Sequence, residues 1–305
     1  MNLEEVNYKF KYEKIENIWQ IFWVLSDTTS SSMDYSIGKN GMYAVSGETM
    51  MSISNTIQTI DFCCYRGAYS DAYTLIRKCR DDLMQYLFVL NVIQNKHGLT
   101  DQEIKNFSLE PDALTKLVEM SIYILASGER KSEQEFATEK WVYGELGNPE
   151  NSKIRKKFFD TSKYKIYLMS NNEHIKYIFD NFLADKWKNE DRKLNNYVHT
   201  NGMAYLMNNY IFQENKIQKD NELIETLRNI IDIFLSMLVI IDSIKVHSSD
   251  YIDALEMGME PPENSQYWVA SVILDYMNER FDKDLLSYLQ ENEGHGMQLL
   301  EEYYQ

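Results

Sequence analysis

Ala68-Tyr69-Ser70-Asp71-Ala72-Tyr73-Thr74-Leu75-Ile76-Arg77-Lys78-Cys79-Arg80-Asp81-Asp82-Leu83-Met84-Gln85-Tyr86-Leu87-Phe88-Val89-Leu90 contains neither proline nor glycine. Read at 3.6 residues per turn, it lines up Ala68, Ala72, Leu75, Ile76, Cys79, Leu83, Leu87 and Leu90 along one side. The other side is not simply polar, because Tyr73, Met84 and Phe88 lie there among Arg77, Arg80, Asp81 and Asp82. A helix apolar on most faces belongs at the centre of a bundle. Arg77 and Arg80 would then be charges near a core, and such charges need carboxylate partners or a bound anion.

Upstream, the helical pattern begins at Thr49 and is broken near Gly67. Residues 12–25 repeat apolar side chains at helical spacing (Ile15, Ile18, Trp19, Phe22, Trp23), and the Thr28–Ser32 run reads as a break. Residues 33–47, with Gly38, Gly41 and Gly47, read as a loop without a phosphate-loop pattern. Downstream, Asn95–Asp101 reads as a turn followed by a short helix. Glu110-Pro111-Asp112 starts a further helix that Gly128 ends. Residues 129–163 read as surface helices joined by loops, and Lys153, Arg155, Lys156 and Lys157 form the one dense basic run. Ser170-Asn171-Asn172-Glu173 caps a helix to about Lys188. Further helices are expected at about 205–212, 219–247 and 265–280, with a break at Glu260-Pro261-Pro262. A last one, Asp282–Tyr304, is interrupted near Gly294. The Leu223–Ile244 helix is the second one apolar enough to be central. The expected architecture is an all-α, multi-helix bundle. Residues 1–48 supply an N-terminal helix and loop, 49–250 the helical core, and 251–305 the C-terminal helices that complete it.

Composition agrees. Four prolines and 12 glycines in 305 residues are few breakers, and 22 Tyr, 13 Phe and 5 Trp supply large buried area. A net charge of −16 excludes a general nucleic-acid-coating surface but leaves room for a local basic site. Cys63, Cys64 and Cys79 are too clustered for a disulfide framework and read as core residues of a reduced, cytoplasmic protein. The N-terminus lacks the basic-then-apolar order of a signal peptide. Leu223–Ile244 carries Glu225, Arg228, Asp232 and Asp242, so its apolar run falls short of the roughly 20 residues a membrane span needs. His97, His174, His199, His247 and His295 show no metal-ligand spacing, and no cofactor fingerprint is present; no metal or cofactor is expected.

One stretch remains that can carry chemistry. In Asp191-Arg192-Lys193-Leu194-Asn195-Asn196-Tyr197-Val198-His199-Thr200-Asn201-Gly202, the positions i, i+3, i+4 and i+7 are Arg192, Asn195, Asn196 and His199. Leu194, Tyr197 and Val198 form an apolar stripe beside them, and Asn201-Gly202 reads as the helix C-cap or a kink. Metal-free RNA cleavage needs a base for the 2′-hydroxyl, an acid for the leaving oxygen and donors to the phosphate. Imidazole serves as either acid or base, guanidinium matches phosphate, and carboxamides orient without charge.

The Arg192-x6-His199 spacing resembles the signature of the HEPN superfamily of helical ribonucleases, which occur as toxins, abortive-infection proteins and CRISPR effectors. The resemblance extends to the Ala72-x-x-Leu75-x-Arg77 helix and to Tyr197-Val198-His199-Thr200-Asn201. It implies a HEPN-like core and a metal-independent endoribonuclease acting as a toxin or anti-phage effector. It further implies a homodimer in which two motifs form one site, with an antitoxin or regulatory protein as a further partner. Arg192 and His199 are then the candidate catalytic residues, and Asn195, Asn196, Arg77 and Arg80 the candidate substrate-binding residues. The competing reading is a non-catalytic helical interaction or oligomerisation module in which Arg192 and His199 are structural.

Overall fold

In the computed structural model, which describes residues 8–31, 35–38, 41–95, 132–142, 144–199, 201–209 and 215–300, the chain is helical apart from one small hairpin. Helix α1 (Glu13–Ser31) is followed by strands β1 (Tyr35–Gly38) and β2 (Gly41–Ala44), then by α2 (Val45–Arg66) and α3 (Tyr69–Gln94). The Thr28–Ser32 run does not break α1, which continues to Ser31. The expected loop over 33–47 is instead an antiparallel hairpin running into α2, with Tyr35 opposite Ala44 and Gly38 opposite Gly41. Four-residue strands are too short to show alternation, so the paired glycines around Lys39-Asn40 were the one available signal.

The break at Gly67 has a specific cause. Gly67 N–H bonds to the Cys64 carbonyl and Ala68 N–H to the Cys63 carbonyl, closing α2 in a Schellman motif. Gly67 has φ +75°, a conformation that costs glycine little. α3 therefore turns back on α2 and becomes buried from Tyr69 to Val92, including Tyr86, Leu87, Phe88, Val89 and Leu90 in succession.

The later helices are α4 (Glu133–Val142), α5 (Ser152–Phe158), α6 (Thr161–Asn171) and α7 (Glu173–Ile178). A π-helical turn at Phe179–Leu183 joins α7 directly to α8 (Ala184–Val198). Asn172 caps α7 as expected, its side chain accepting from His174 N–H and Ile175 N–H. The helix does not stop near Lys188, however. The Arg192 stretch is the last two turns of the same rod. After α9 (Met203–Met207) comes α10 (Lys216–Asp242), buried almost continuously from Leu223 to Asp242. The helix expected at 265–280 is a 3-10 turn at Ser265–Tyr267 followed by α12 (Ser271–Arg280), and α11 (Asp250–Glu256) was not expected. α13 (Lys283–Asn292) closes the described chain. The elements expected over 96–131 lie outside the described residues.

α3 and α10 pack on each other at the centre, with α1 and α2 on one side and α6 and α8 on another. One apolar cluster runs from Ile15 to Leu299, so the N-terminal and C-terminal helices share the core of the middle segment. No described helix is long and apolar enough to cross a membrane.

Candidate functional site

α8 lies antiparallel to α3, and three pairs fix the register. The Tyr73 and Tyr197 rings stack with centroids 4.1 Å apart and planes 16° apart. The Arg77 Nη1 lies 3.5 Å from His199 Nε2, and the Arg80 Nη1 donates to Asp191 at 2.7 Å. Trp187, Glu190 and Leu194 form the buried side of α8. Glu190 accepts from Asn229 of α10 at 2.8 Å, and Lys193 turns the same way, toward Thr226 (2.9 Å) and Glu190 (3.2 Å). Lys193 is thus held against α10 and does not enter the Arg192–His199 stripe.

That stripe faces outward. Arg192 and His199 are exposed, Asn195 and Asn196 half-buried. Among the described residues, no hydrogen bond or ion pair holds the Arg192 side chain. His199 is the C-cap of α8, its N–H bonding to the Asn195 carbonyl. The Asn201 N–H bonds to the Asn196 carbonyl, and the two carboxamides meet at 3.1 Å. Gly202, at φ +130°, then redirects the chain into α9. The Asn201-Gly202 pair therefore sits just past the cap, and the capping position is His199.

Tyr197 is gripped on several sides, which fixes the backbone two residues before His199. Besides Tyr73, the Tyr205 ring meets it edge-on at 5.1 Å, and Asn208 donates to its hydroxyl at 2.7 Å. Burial pushes the Tyr197 phenol above its ordinary value. The adjacent Asn209 accepts from Ser70 N–H in the first turn of α3, tying the segment after α8 back to that helix.

The two arginines of α3 differ. Arg80 is buried at 3% exposure, donates to Asp81 through Nε and Nη2, reaches Asp191 through Nη1, and lies 5.6 Å from the Trp187 ring. A guanidinium so committed holds α3 to α8. Arg77 is only partly satisfied. Asp81 accepts from Arg80 and from Thr161 (2.8 Å) through Oδ1, while Arg77 Nε stands 3.6 Å from its Oδ2, too long for a hydrogen bond. Arg77 is therefore the less satisfied α3 guanidinium, and its Nη1 is the group beside His199. The residues missed in the sequence are those that position the site: Tyr73, Asp81, Thr161, Asn208 and Asn209. Of these, Asp81 at i+4 from Arg77 was the one legible signal.

Among the described residues, no group of three or more His, Cys, Asp or Glu side chains is placed to hold a metal ion. Cys64 and Cys79 are buried, and burial pushes both thiols up to about 12, so neither is a ready nucleophile. The basic run on α5 is exposed, with Lys157 paired to Glu133. Compared with known proteins, the chain matches no protein-family model, no curated protein and no solved structure.

Proposed function

We propose that the chain is a metal-independent endoribonuclease of the HEPN type, a toxin or anti-phage defence effector, with His199 and Arg192 as its catalytic residues and Arg77, Asn195 and Asn196 as substrate contacts. The observation that carries this reading is the exposed imidazole of His199 with the Arg77 guanidinium 3.5 Å from its Nε2. In this reading an imidazole nitrogen of His199 removes the 2′-hydroxyl proton, and the oxygen attacks the adjacent phosphorus in line. The P–O5′ bond breaks, leaving a 2′,3′-cyclic phosphate and a 5′-hydroxyl. Arg77 and Arg192 donate to the non-bridging oxygens. The Arg77 guanidinium beside the imidazole favours a phosphate and opposes a metal cation.

A second imidazole is needed as the acid for the leaving oxygen, and a two-fold dimer supplies it from His199 of a second copy. The exposed apolar side chains of α9 beside the site, Met203 (68% exposed), Leu206 and Met207, suit such a contact. The same side chains favour the second reading, an interaction module in which His199 is structural. Incubation of the purified chain with total RNA in EDTA separates the two. The enzyme reading requires cleavage by the intact chain, cyclic phosphate ends and none from His199→Ala. Cleavage that survives His199→Ala, or none at all from a dimeric intact chain, leaves the module.

A further inference from the structure

The segment after α10 holds the longest stretch of the chain without a lysine or arginine. It runs from Val246 to Glu279, and Asp250, Asp253, Glu256, Glu260 and Glu263 crowd its first half. It also exposes large apolar groups: Leu255 (50%), Met257 (71%) and Met259 (55%), together with Ile252 and Tyr267. These residues do not belong to a frayed strand of chain. α11 ends in a full Schellman motif, with Gly258 N–H on the Leu255 carbonyl, Met259 N–H on the Ala254 carbonyl, and Gly258 at φ +68°. The lobe packs against the Ser265–Tyr267 turn, which pairs onward through the Trp268–Gln298 bridge. An ordered lobe that exposes methionine and leucine among carboxylates offers an apolar contact surrounded by negative charge.

The complementary surface lies on the same chain. Between α4 and α5 is a groove of about 480 Å³ lined by Ser132, Phe136, Ile154 and Phe158 with Lys153, and with Lys157 paired to Glu133. Phe136 is 42% exposed, and Lys153, Arg155 and Lys156 stand exposed along α5. The groove is apolar at its floor and positive at its edge; the lobe is apolar at its tip and negative around it. We propose that the 250–267 lobe of one copy docks in the α4–α5 groove of a second copy, so that the chain assembles head to tail. The contact joins two different surfaces, so it is heterologous and propagates into a ring or an open filament. It is independent of the two-fold contact proposed beside His199. Its steering is electrostatic and therefore salt-dependent.

The test is sedimentation velocity of the full chain across concentration, at low salt and at about 0.5 M salt, where screening is strong. Species that grow with concentration at low salt and shrink at high salt are expected. Glu256→Lys/Glu260→Lys on the lobe, and Lys153→Glu in the groove combined with Lys156→Glu beside it on α5, should each weaken association by about tenfold or more. None of these four side chains is held by a hydrogen bond or ion pair to a described residue, and unchanged circular dichroism checks the fold. An equimolar mixture of the two variants should associate again, because the intact acidic lobe of one faces the intact basic groove of the other. Met257→Ser should weaken association without altering the salt response of what remains. Growth indifferent to salt and to both variants would overturn the proposal, as would absence of growth in the wild type or a mixture that stays dissociated.

Discussion

Asp232 is the residue whose loss most directly tests how α8 is held. It lies in the middle of α10 at 1% exposure and gathers partners from two other helices. Lys186 of α8 donates at 2.6 Å, Arg280 of α12 at 2.8 Å through Nη2, and the Tyr276 hydroxyl at 2.8 Å. Breaking a buried charge pair by removing one partner costs about 3–5 kcal/mol, chiefly because the other charge is stranded. Three features place Asp232→Ala at the low end of that range. Arg280 keeps Glu225 at 2.7 Å and Asn229 at 3.2 Å, the Tyr276 hydroxyl keeps the Arg228 carbonyl at 3.1 Å, and Lys186, 28% exposed, can swing toward water. The expected loss is therefore about 3 kcal/mol, or roughly 5 °C in melting temperature for a chain of this size. Asp232→Asn keeps the shape and one acceptor, so it should cost less than Asp232→Ala. Urea unfolding followed by circular dichroism measures both. A loss below about 1 kcal/mol for Asp232→Ala would refute the view that this carboxylate ties α8 and α12 to α10.

Arg77→Ala and Arg192→Ala should each lower RNA cleavage by about 10²–10³-fold, His199→Ala by about 10²–10⁴-fold, and Asn195→Ala or Asn196→Ala by less, all without loss of fold, in a cleavage assay run in EDTA. Asp220 accepts from Tyr69 (2.6 Å), Tyr12 (2.7 Å) and Lys216 (2.8 Å); burial pushes its carboxyl up, but these hydrogen bonds outweigh burial and hold it below its ordinary value. A depressed carboxyl contributes stability above its unfolded pKa of about 3.9 and loses it as pH falls through the folded value; Asp220→Asn should be less stable at pH 7 and flatter in melting temperature below pH 4. Cys64 and Cys79 should resist a thiol reagent at pH 8 in the folded chain and react in denaturant; rapid labelling of Cys79 would contradict its burial.

The central helices were legible because their signal is long. Twenty-three residues without a breaker, apolar on most faces, leave α3 no stable place but the middle, and Leu223–Ile244 repeats the argument for α10. Short elements were not legible. The hairpin has four residues per strand, α11 has seven, and the junction of α7 to α8 is a π-helical turn that looks like ordinary helix in sequence. Helical spacing put Arg192 and His199 on one face, but spacing within one helix says nothing of what another helix brings. The contact between Arg77 and His199 spans 122 positions and follows from the antiparallel register of α3 and α8. Arg77 and Arg80 looked equivalent in sequence. What separates them is the far helix, where Arg80 meets the Asp191 carboxylate and Arg77 meets the His199 ring.

The division of labour along α8 follows from that register. Each residue on its inner side has a partner that fixes it: Lys186 on Asp232, Glu190 on Asn229, Lys193 on Thr226, Leu194 in the core, Tyr197 on Tyr73. These ties occur at intervals of three or four residues, so they hold one face of the rod and determine the direction of the other. Arg192 and His199 sit on that other face, and neither contributes to the ties. α8 is held on its inner side and presents Arg192 and His199 on its outer one, with the Arg77 guanidinium brought over from α3. The stability of the inner face and the chemistry of the outer one can therefore be tested separately, because Asp232→Ala acts on the first and His199→Ala on the second.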